Sequence, residues 1–248
     1  MRFMKEREDL AASLRLAEHF DLHEGICNHF SYQVSGGQVS GIEDGAEELF
    51  LINAYGLHWS EIRPENLILM DAKGETLEGE GEAEASARNI HIAGHRANAR
   101  HRCLFHTHMP YATALTMLKG GRLEMAHQTA CRYYGRIGYE GEFGGLAASE
   151  EEGERLAQQA KSNAGADVIF LANHGVVVGG PTAAQAFDDL YYLERACRQQ
   201  VLAQSTGMEL NVVSDEVAEQ TAKQYQAEFE VMPDLHFAAL KRVAGLNQ

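Results

Sequence analysis

The sequence predicts a three-layer α/β/α domain built on a central mixed, mostly antiparallel sheet. An amphipathic helix opens the chain, antiparallel-looking strands follow it, and the later strands alternate with helices. The chain has 248 residues, of which 45% are hydrophobic, and this is enough for a core of ordinary size. We therefore expect a single domain over residues 1–248.

The strands are predicted from short apolar or alternating runs that end at turn residues. The first run alternates from His29 to Val34 and ends at Gly36-Gly37, which indicates a hairpin. The predicted strands cover residues 29–34, 49–52, 67–70, 103–106, 168–171 and 175–178.

The helices are predicted from apolar residues at helical spacing and from capping residues. Thr182 caps the longest one, which continues past Ala196, and Ser149 with Glu152 forms a capping box for another. Besides the helix that Thr182 caps, the predicted helices cover residues 5–21, 83–99, 110–118, 150–163 and 214–230, and the one over 150–163 has the capping box. The stretch 131–147 is rich in glycine and tyrosine and is predicted to be mostly loop.

The net charge of −15 argues against a nucleic-acid-binding surface. The four cysteines contain no CxxC pair, as in proteins that keep their thiols reduced in the cytosol. The first residues carry no apolar signal core, and no apolar stretch approaches the length of a membrane span. We therefore expect a cytoplasmic protein with neither nucleic acid nor membrane as a partner.

Three histidines predict a metal site. His106 and His108 end an apolar run, and the alternation of a strand puts residues two apart on the same face. His174 follows a second apolar run, within Asn173-His174-Gly175. Three neutral imidazoles leave coordination positions open, as a catalytic divalent metal requires. His91 and His95 form a rival pair on a predicted helix, which we interpret as helix residues satisfied by their neighbours.

Six segments are informative in combination. They are Asn28-His29-Phe30-Ser31, Ile52-Asn53-Ala54-Tyr55-Gly56-Leu57, His91-Ile92-Ala93-Gly94-His95, His106-Thr107-His108, Asn173-His174-Gly175 and Tyr191-Tyr192-Leu193-Glu194-Arg195-Ala196. Together they resemble the class II aldolase/adducin family, which includes fuculose-phosphate aldolase. The resemblance runs from about residue 8 to residue 230, and it is closer to the adducin-like bacterial branch than to the sugar-phosphate aldolases.

The resemblance implies an α/β/α domain that assembles as a homotetramer with its active sites between subunits. It implies one divalent metal on His106, His108 and His174, with zinc first and manganese or iron as alternatives. In this family the metal chelates a small-molecule substrate and stabilises an enolate during carbon–carbon cleavage. Asn28 and Ser31 match family positions near the substrate, so we expect them to bind it.

The chain departs from the sugar-phosphate aldolases at their Ser-Ser-Glu motif, whose glutamate acts as acid/base and whose serines help to hold phosphate. The aligned glutamate position is Ala87, and Ser86 is the one serine that remains. Glu84, one turn earlier, is a candidate substitute. An aldolase needs a base for the substrate hydroxyl, whereas a decarboxylase needs only a later protonation. The departure therefore favours decarboxylation, or an aldol cleavage with a different base, on a non-phosphorylated hydroxy-carbonyl or hydroxy-carboxylate compound.

Further candidates follow from residue type. Arg88 is expected to pair with a substrate carboxylate, because guanidinium binds carboxylate in a bidentate manner. His127, Tyr133 and Tyr134 are candidate proton donors because they lie in or beside the loop-rich stretch. Two other functions remain open: a non-catalytic interaction module like the adducins, and a non-haem iron oxygenase that uses the same three histidines.

Overall fold

The computed structural model describes residues 1–35, 47–145, 158, 161–163 and 165–246. The strands are β1 (His29–Ser35), β2 (Leu49–Asn53), β3 (Leu67–Asp71), β4 (Thr76–Glu78), β5 (Cys103–Thr107), β6 (Ile137–Glu140), β7 (Val168–Leu171) and β8 (Gly175–Gly180). The helices are α1 (Met4–His19), α2 (Ala85–Ala97), α3 (Pro110–Thr116), α4 (Gln128–Cys131), α5 (Ala183–Gln204), α6 (Asp215–Glu228) and α7 (Met232–Val243).

The eight strands form one sheet in the order β4-β3-β2-β1-β5-β8-β7-β6. Only the edge pair β6–β7 is parallel, so the sheet is mixed and mostly antiparallel, as the sequence predicts. In the centre of the sheet His29 pairs with His106, and His106 pairs with Val177. One end of β1, β5 and β8 therefore holds the motifs that the sequence singled out.

The two faces of the sheet are covered by different helices, because successive side chains of a strand point to opposite sides. Phe30, Phe105 and Val176 belong to the larger core, together with apolar residues of α1, α3, α5 and α7. Leu104 and Val177 point to the other face, where they pack with Ile90 of α2. The predicted three-layer arrangement is confirmed.

Most predicted elements are present, with ends shifted by a few residues. Thr182 caps α5 as predicted, by accepting a hydrogen bond from the backbone of Gln185 at 3.1 Å. The predicted turn at Gly36-Gly37, the Ser149–Glu152 capping box and most of the helix over 150–163 lie outside the described residues. No helix of the described chain is both long and apolar enough to cross a bilayer.

The described part of 131–147 is mostly loop, as predicted, but the prediction missed β6. This strand has only four residues and an uneven burial pattern, so neither its length nor its periodicity distinguishes it from the flanking loop. It is ordered by its parallel pairing with β7. Helix α7 was also missed, although Pro233 stands in its first turn, a favoured place for proline.

A network of ion pairs, buried except for Arg100, lies at the end of the sheet remote from His106. Asp167 accepts hydrogen bonds from Arg136 Nε at 2.7 Å, Arg100 at 2.7 Å and His101 Nε2 at 2.9 Å. Burial alone would raise the pKa of Asp167, but the His101 hydrogen bond and the Arg136 charge outweigh it and lower the pKa to about 2. Arg136 continues the network to Asp189 at 2.6 Å.

We predict that Asp167 stabilises the fold most above pH 4. Its folded pKa lies below the unfolded value, so this stabilisation is present at neutral pH and is lost as the pH falls toward 2. In urea unfolding, the stability advantage of the wild type over Asp167→Asn should shrink by about 1 kcal/mol between pH 7 and pH 3. The exposed Glu209→Gln variant is the control. A pH-independent difference for Asp167→Asn would contradict the assignment.

Candidate metal centre

The structure brings His106, His108 and His174 together at one end of the sheet. One nitrogen from each ring can be chosen so that the three atoms lie within 4.8 Å of one another. The ring centroids are 5.1 Å apart for His106 and His108, and each of these rings lies 4.8 Å from His174. The cluster is the one group of at least three histidine, cysteine or acidic side chains, among the residues described, that could hold a metal ion.

His106 is held as a neutral imidazole. Its Nδ1 lies 3.0 Å from the backbone oxygen of Val176, which can only accept, so Nδ1 carries the hydrogen and Nε2 is left bare. Burial, and then the neighbouring histidines, lower the pKa of His106 well below its ordinary value. A bare nitrogen on a neutral ring is the form in which imidazole binds a metal.

His108 is oriented in the same way by a carboxylate. Its Nδ1 lies 2.6 Å from Glu24 Oε2, so Nδ1 donates and Nε2 is directed elsewhere. Nε2 is buried and has no hydrogen-bond partner among the residues that the structure describes. A buried polar atom without a partner is costly unless something binds it. A metal ion held by the cluster would supply that partner, and a histidine–carboxylate pair is a common support for such a ligand.

Backbone geometry explains why asparagine and glycine flank His174. Asn173 has a φ of 55°, in the left-handed region that asparagine tolerates better than most residues. A Cβ on Gly175 would lie 2.6 Å from the backbone oxygen of Thr107 and 2.8 Å from His108 Cδ2. The corner can therefore approach β5 closely enough to place His174 beside the other two rings.

Asn28 lies against the same cluster. Its Oδ1 accepts from the backbone nitrogen of Glu24 at 2.6 Å and from that of His108 at 3.3 Å. Its Nδ2 is buried and unpartnered. The predicted substrate-binding residue Asn28 therefore has a free donor at the centre, whereas its oxygen is committed to the local backbone.

Ser31 lies deeper in the protein. It is fully buried, and its hydroxyl lies between His91 Nδ1 and His95 Nε2, the latter at 2.7 Å. His91 Nε2 in turn lies 2.8 Å from His29 Nδ1. The structure therefore gives the predicted substrate residue Ser31, and the rival pair on α2, partners within the protein.

The region aligned with the aldolase Ser-Ser-Glu forms the beginning of α2. Glu84 caps this helix by accepting from the backbone nitrogen of Ala87 at 3.1 Å, and it also accepts from the Ser86 hydroxyl. Ala87 is fully buried in an apolar cluster with Phe50. Arg88 lies against Gly74 in the turn between β3 and β4.

The predicted proton donors lie elsewhere, around α4. His127 caps α4 through the backbone nitrogen of Ala130 at 3.1 Å. Tyr133 is fully buried and donates to the backbone oxygen of Asp189 at 2.7 Å, and burial raises its pKa well above the ordinary value. Tyr134 is half-buried and interacts with Asp215. Within the described chain, these contacts hold the three side chains around α4, and none of them reaches the histidine cluster.

Sequence reasoning missed two residues at the centre, Glu24 and His29. Glu24 lies in a short connection where acidic residues are common on any surface, so nothing in its context distinguishes it. His29 directly follows Asn28 and begins β1, and the ring of His29 lies 4.7 Å from that of His106. Its position at a strand end, like that of His106, was the available signal.

The chain matches the family model described as "Class II Aldolase and Adducin N-terminal domain" over residues 8–201. It is 31% identical to the decarboxylase NovR of Streptomyces niveus, over 83% of this chain and 76% of that protein. It also resembles the crystal structure of an aldolase II superfamily protein from Pseudomonas syringae, with a TM-score of 0.84 and 31% identity, over 97% of this chain and 92% of that one.

A further structural match is to L-fuculose 1-phosphate aldolase from Glaciozyma antarctica, with a TM-score of 0.78 over 98% of this chain and 90% of that one. The identity is 22%, so this match supports the fold alone.

We predict that His106→Ala removes most bound divalent metal and that Glu24→Gln weakens binding about 10- to 100-fold. The first change deletes a proposed ligand, and the second removes the negative charge of the acceptor that holds the His108 ring. Metal content after dialysis tests the first change, and competition with a chelator tests the second. The control is Glu209→Gln. Glu209 is exposed and lies in the connection between α5 and α6, so this variant should bind metal like the wild type. Full metal occupancy in alanine variants of all three histidines would contradict the site.

Proposed function

The chain belongs to the class II aldolase and adducin family, and from that premise we propose that it is a divalent-metal-dependent carbon–carbon lyase. The observation that carries the proposal is the convergence of His106, His108 and His174, with His108 Nε2 buried and unpartnered. We propose zinc as the metal, because three imidazoles suit it and leave a position for substrate. Manganese and iron are the alternative metals for the same three nitrogen donors.

We propose decarboxylation of a small, non-phosphorylated hydroxy-carboxylate as the reaction. Two observations favour it over aldol cleavage. The side chain of Ala87 packs into the apolar cluster under α2, at the position where the sugar-phosphate aldolases carry their acid/base glutamate. The relative NovR, at 31% identity, is named a decarboxylase. Aldol cleavage would require the chain to supply another base.

The chain's residues have separate roles in this reaction. A bound metal would act as a Lewis acid that stabilises negative charge developing on the substrate. The bond to the carboxylate carbon breaks, carbon dioxide leaves, and the electron pair stays on the remaining carbon until a proton reaches it. Asn28 Nδ2 can donate to a substrate oxygen beside the histidines. His127 and Tyr134 remain our candidate proton donors, whereas the Tyr133 hydroxyl is committed to Asp189.

The substrate-binding roles of Ser86 and Arg88 remain proposals. Both residues lie near the beginning of α2, but the Ser86 hydroxyl already donates to Glu84. The interaction module and the iron oxygenase remain alternatives. The hydrogen bonds that orient the rings of His106 and His108 favour an enzyme over a module. Iron in anaerobically purified protein, with oxygen consumption, would favour the oxygenase.

We predict that the zinc-loaded protein releases carbon dioxide from hydroxy-carboxylates and cleaves phosphorylated sugars poorly. The reason is that Ala87 replaces the glutamate and that one serine remains of the pair that holds phosphate in the aldolases. A screen should measure carbon dioxide and aldehyde release side by side. Rapid cleavage of fuculose 1-phosphate or ribulose 1-phosphate would contradict the proposal.

Glu84→Gln provides the matching control for the reaction. Because Glu84 caps α2, the change should weaken the helix end by about 1 kcal/mol and lower turnover less than about tenfold. An acid/base residue would contribute about 10²–10⁴-fold instead. A loss in that range, with metal still bound, would restore Glu84 as the catalytic group.

We further propose a cytoplasmic homotetramer with its sites between subunits. Exposed apolar side chains beside the centre support an interface there, because large exposed apolar patches commonly mark contact surfaces. Met117 and Leu118 directly follow α3 with exposures of 66% and 53%, and Phe143 is 50% exposed with its ring 6.2 Å from that of His174. The backbone of Asn173 bonds to the oxygen of Thr116, which ties α3 to the same corner.

Light scattering at micromolar concentration should give four times the 27.4 kDa mass of the chain. Met117→Glu should shift the protein toward smaller species, because it puts a charge into the proposed interface. Met208→Glu, which alters an exposed side chain in the connection after α5, should leave the mass unchanged. A monomeric wild type would contradict this assembly and any site shared between subunits.

A further inference from the structure

A chain of buried hydrogen bonds connects the metal centre with the opposite end of α2. It begins at the backbone oxygen of His101, which lies 2.8 Å from His95 Nδ1. His95 Nε2 lies 2.7 Å from the Ser31 hydroxyl, which also contacts His91 Nδ1. His91 Nε2 lies 2.8 Å from His29 Nδ1. Ser31, His91 and His95 are 0%, 0% and 2% exposed, so bulk water does not interrupt the chain.

The backbone oxygen of His101 determines where the hydrogens of His95 and Ser31 lie. A carbonyl can only accept, so His95 Nδ1 carries the hydrogen. Burial lowers the pKa of His95 to about 3, so the ring is neutral and its Nε2 is bare. That nitrogen must accept from Ser31, which uses the single hydrogen of the hydroxyl.

The same reasoning continues to His29. Since its hydrogen is already used, the Ser31 oxygen accepts from His91 Nδ1. Burial also lowers the pKa of His91 well below its ordinary value, so its Nε2 is bare and accepts from His29 Nδ1. The ring of His29 is buried between those of His91 and His106, where a second hydrogen and its charge would be costly, so it has one hydrogen, and Nε2 is its bare nitrogen.

His29 is placed to use that nitrogen at the centre. It is 3% exposed, it pairs with His106 across β1 and β5, and its ring lies 4.7 Å from that of His106. Nδ1 faces His91, and among the described residues Nε2 of His29 has no hydrogen-bond partner. Phe50 stacks on His95 at 5.2 Å and helps to fix that ring.

We propose that His29 Nε2 accepts a hydrogen bond from the substrate hydroxyl, and that Ser31, His91 and His95 are positioning residues that hold His29 in the required tautomer. This inference rests on the proposed function only for the presence of a hydroxyl on the substrate. His29 would therefore contribute to specificity. A ligand that carries a hydroxyl beside its carboxylate gains a hydrogen bond to His29 Nε2, whereas the same ligand without the hydroxyl does not.

The tautomer can be observed without any turnover. Zinc-loaded protein labelled with ¹⁵N only at histidine Nδ1 distinguishes protonated from bare Nδ1 by solid-state NMR, which has no size limit. The signal that disappears in His29→Phe should be that of a protonated Nδ1. A bare Nδ1 at that position would overturn the assignment.

Ser31→Ala tests the chain itself, since it removes the hydroxyl between His91 and His95. We expect His29 to populate both tautomers in this variant, with metal content unchanged. Ser13→Ala is the matched control, because Ser13 is equally buried and donates to the backbone oxygen of Asp9 at 2.8 Å in α1. An unchanged His29 signal in folded Ser31→Ala would overturn the positioning role.

The acceptor role is tested by binding of 2-hydroxybenzoate and benzoate to zinc-loaded protein by calorimetry. The ratio of the two dissociation constants should fall about fivefold in His29→Phe, which corresponds to the loss of one ordinary hydrogen bond. An unchanged ratio would overturn the role. Because this experiment needs no reaction, a protein that decarboxylates nothing would count against the proposed function alone.

Discussion

The close antiparallel pairing of β5 with β8 is the constraint on which the centre depends. Val177 stands opposite His106, and the oxygen of Val176 accepts the hydrogen of His106 Nδ1. The strands approach closely enough at Gly175 that a Cβ there would meet Thr107 and His108. The same pairing thus brings His174 beside the other rings and selects the nitrogen that His106 can offer to a metal.

The polar groups under α2 are satisfied by two different means. Near the centre, the rings of His29, His91 and His95 are neutral, so their burial does not require a counter-charge. Their hydrogen bonds all donate in the same direction, from His29 toward the backbone oxygen of His101. At the other end, charges are retained and paired, with Asp167 between Arg136 and Arg100. His101 takes part in both systems, through its backbone oxygen and its ring. The neutral rings of His29 and His91 put no positive charge beside His106, one of the three candidate metal-binding histidines.

Family membership and the local departures bear on different parts of the function. Membership supports the fold and the class of chemistry, because the match covers most of the chain. The substrate depends on side chains at the site. Ala87 packs in an apolar cluster, and Glu84 is used as a helix cap, so the position of the aldolase glutamate carries no carboxylate. This difference is why we favour a reaction that needs no base at that place.

The sequence alone determined most of the order of strands and helices, and it identified the three histidines as a candidate metal site. Strand alternation places His106 and His108 on the same side, and the glycine after His174 predicts a tight corner; both are local properties. The tertiary structure decided what depends on pairing between distant segments: strand β6, ordered by β7, the Glu24 support of His108, and the burial of Ser31 between two histidines. A single side chain does not reveal its partner from sequence, because hydrogen bonds between residues far apart in the chain are fixed only when the strands and α2 pack together.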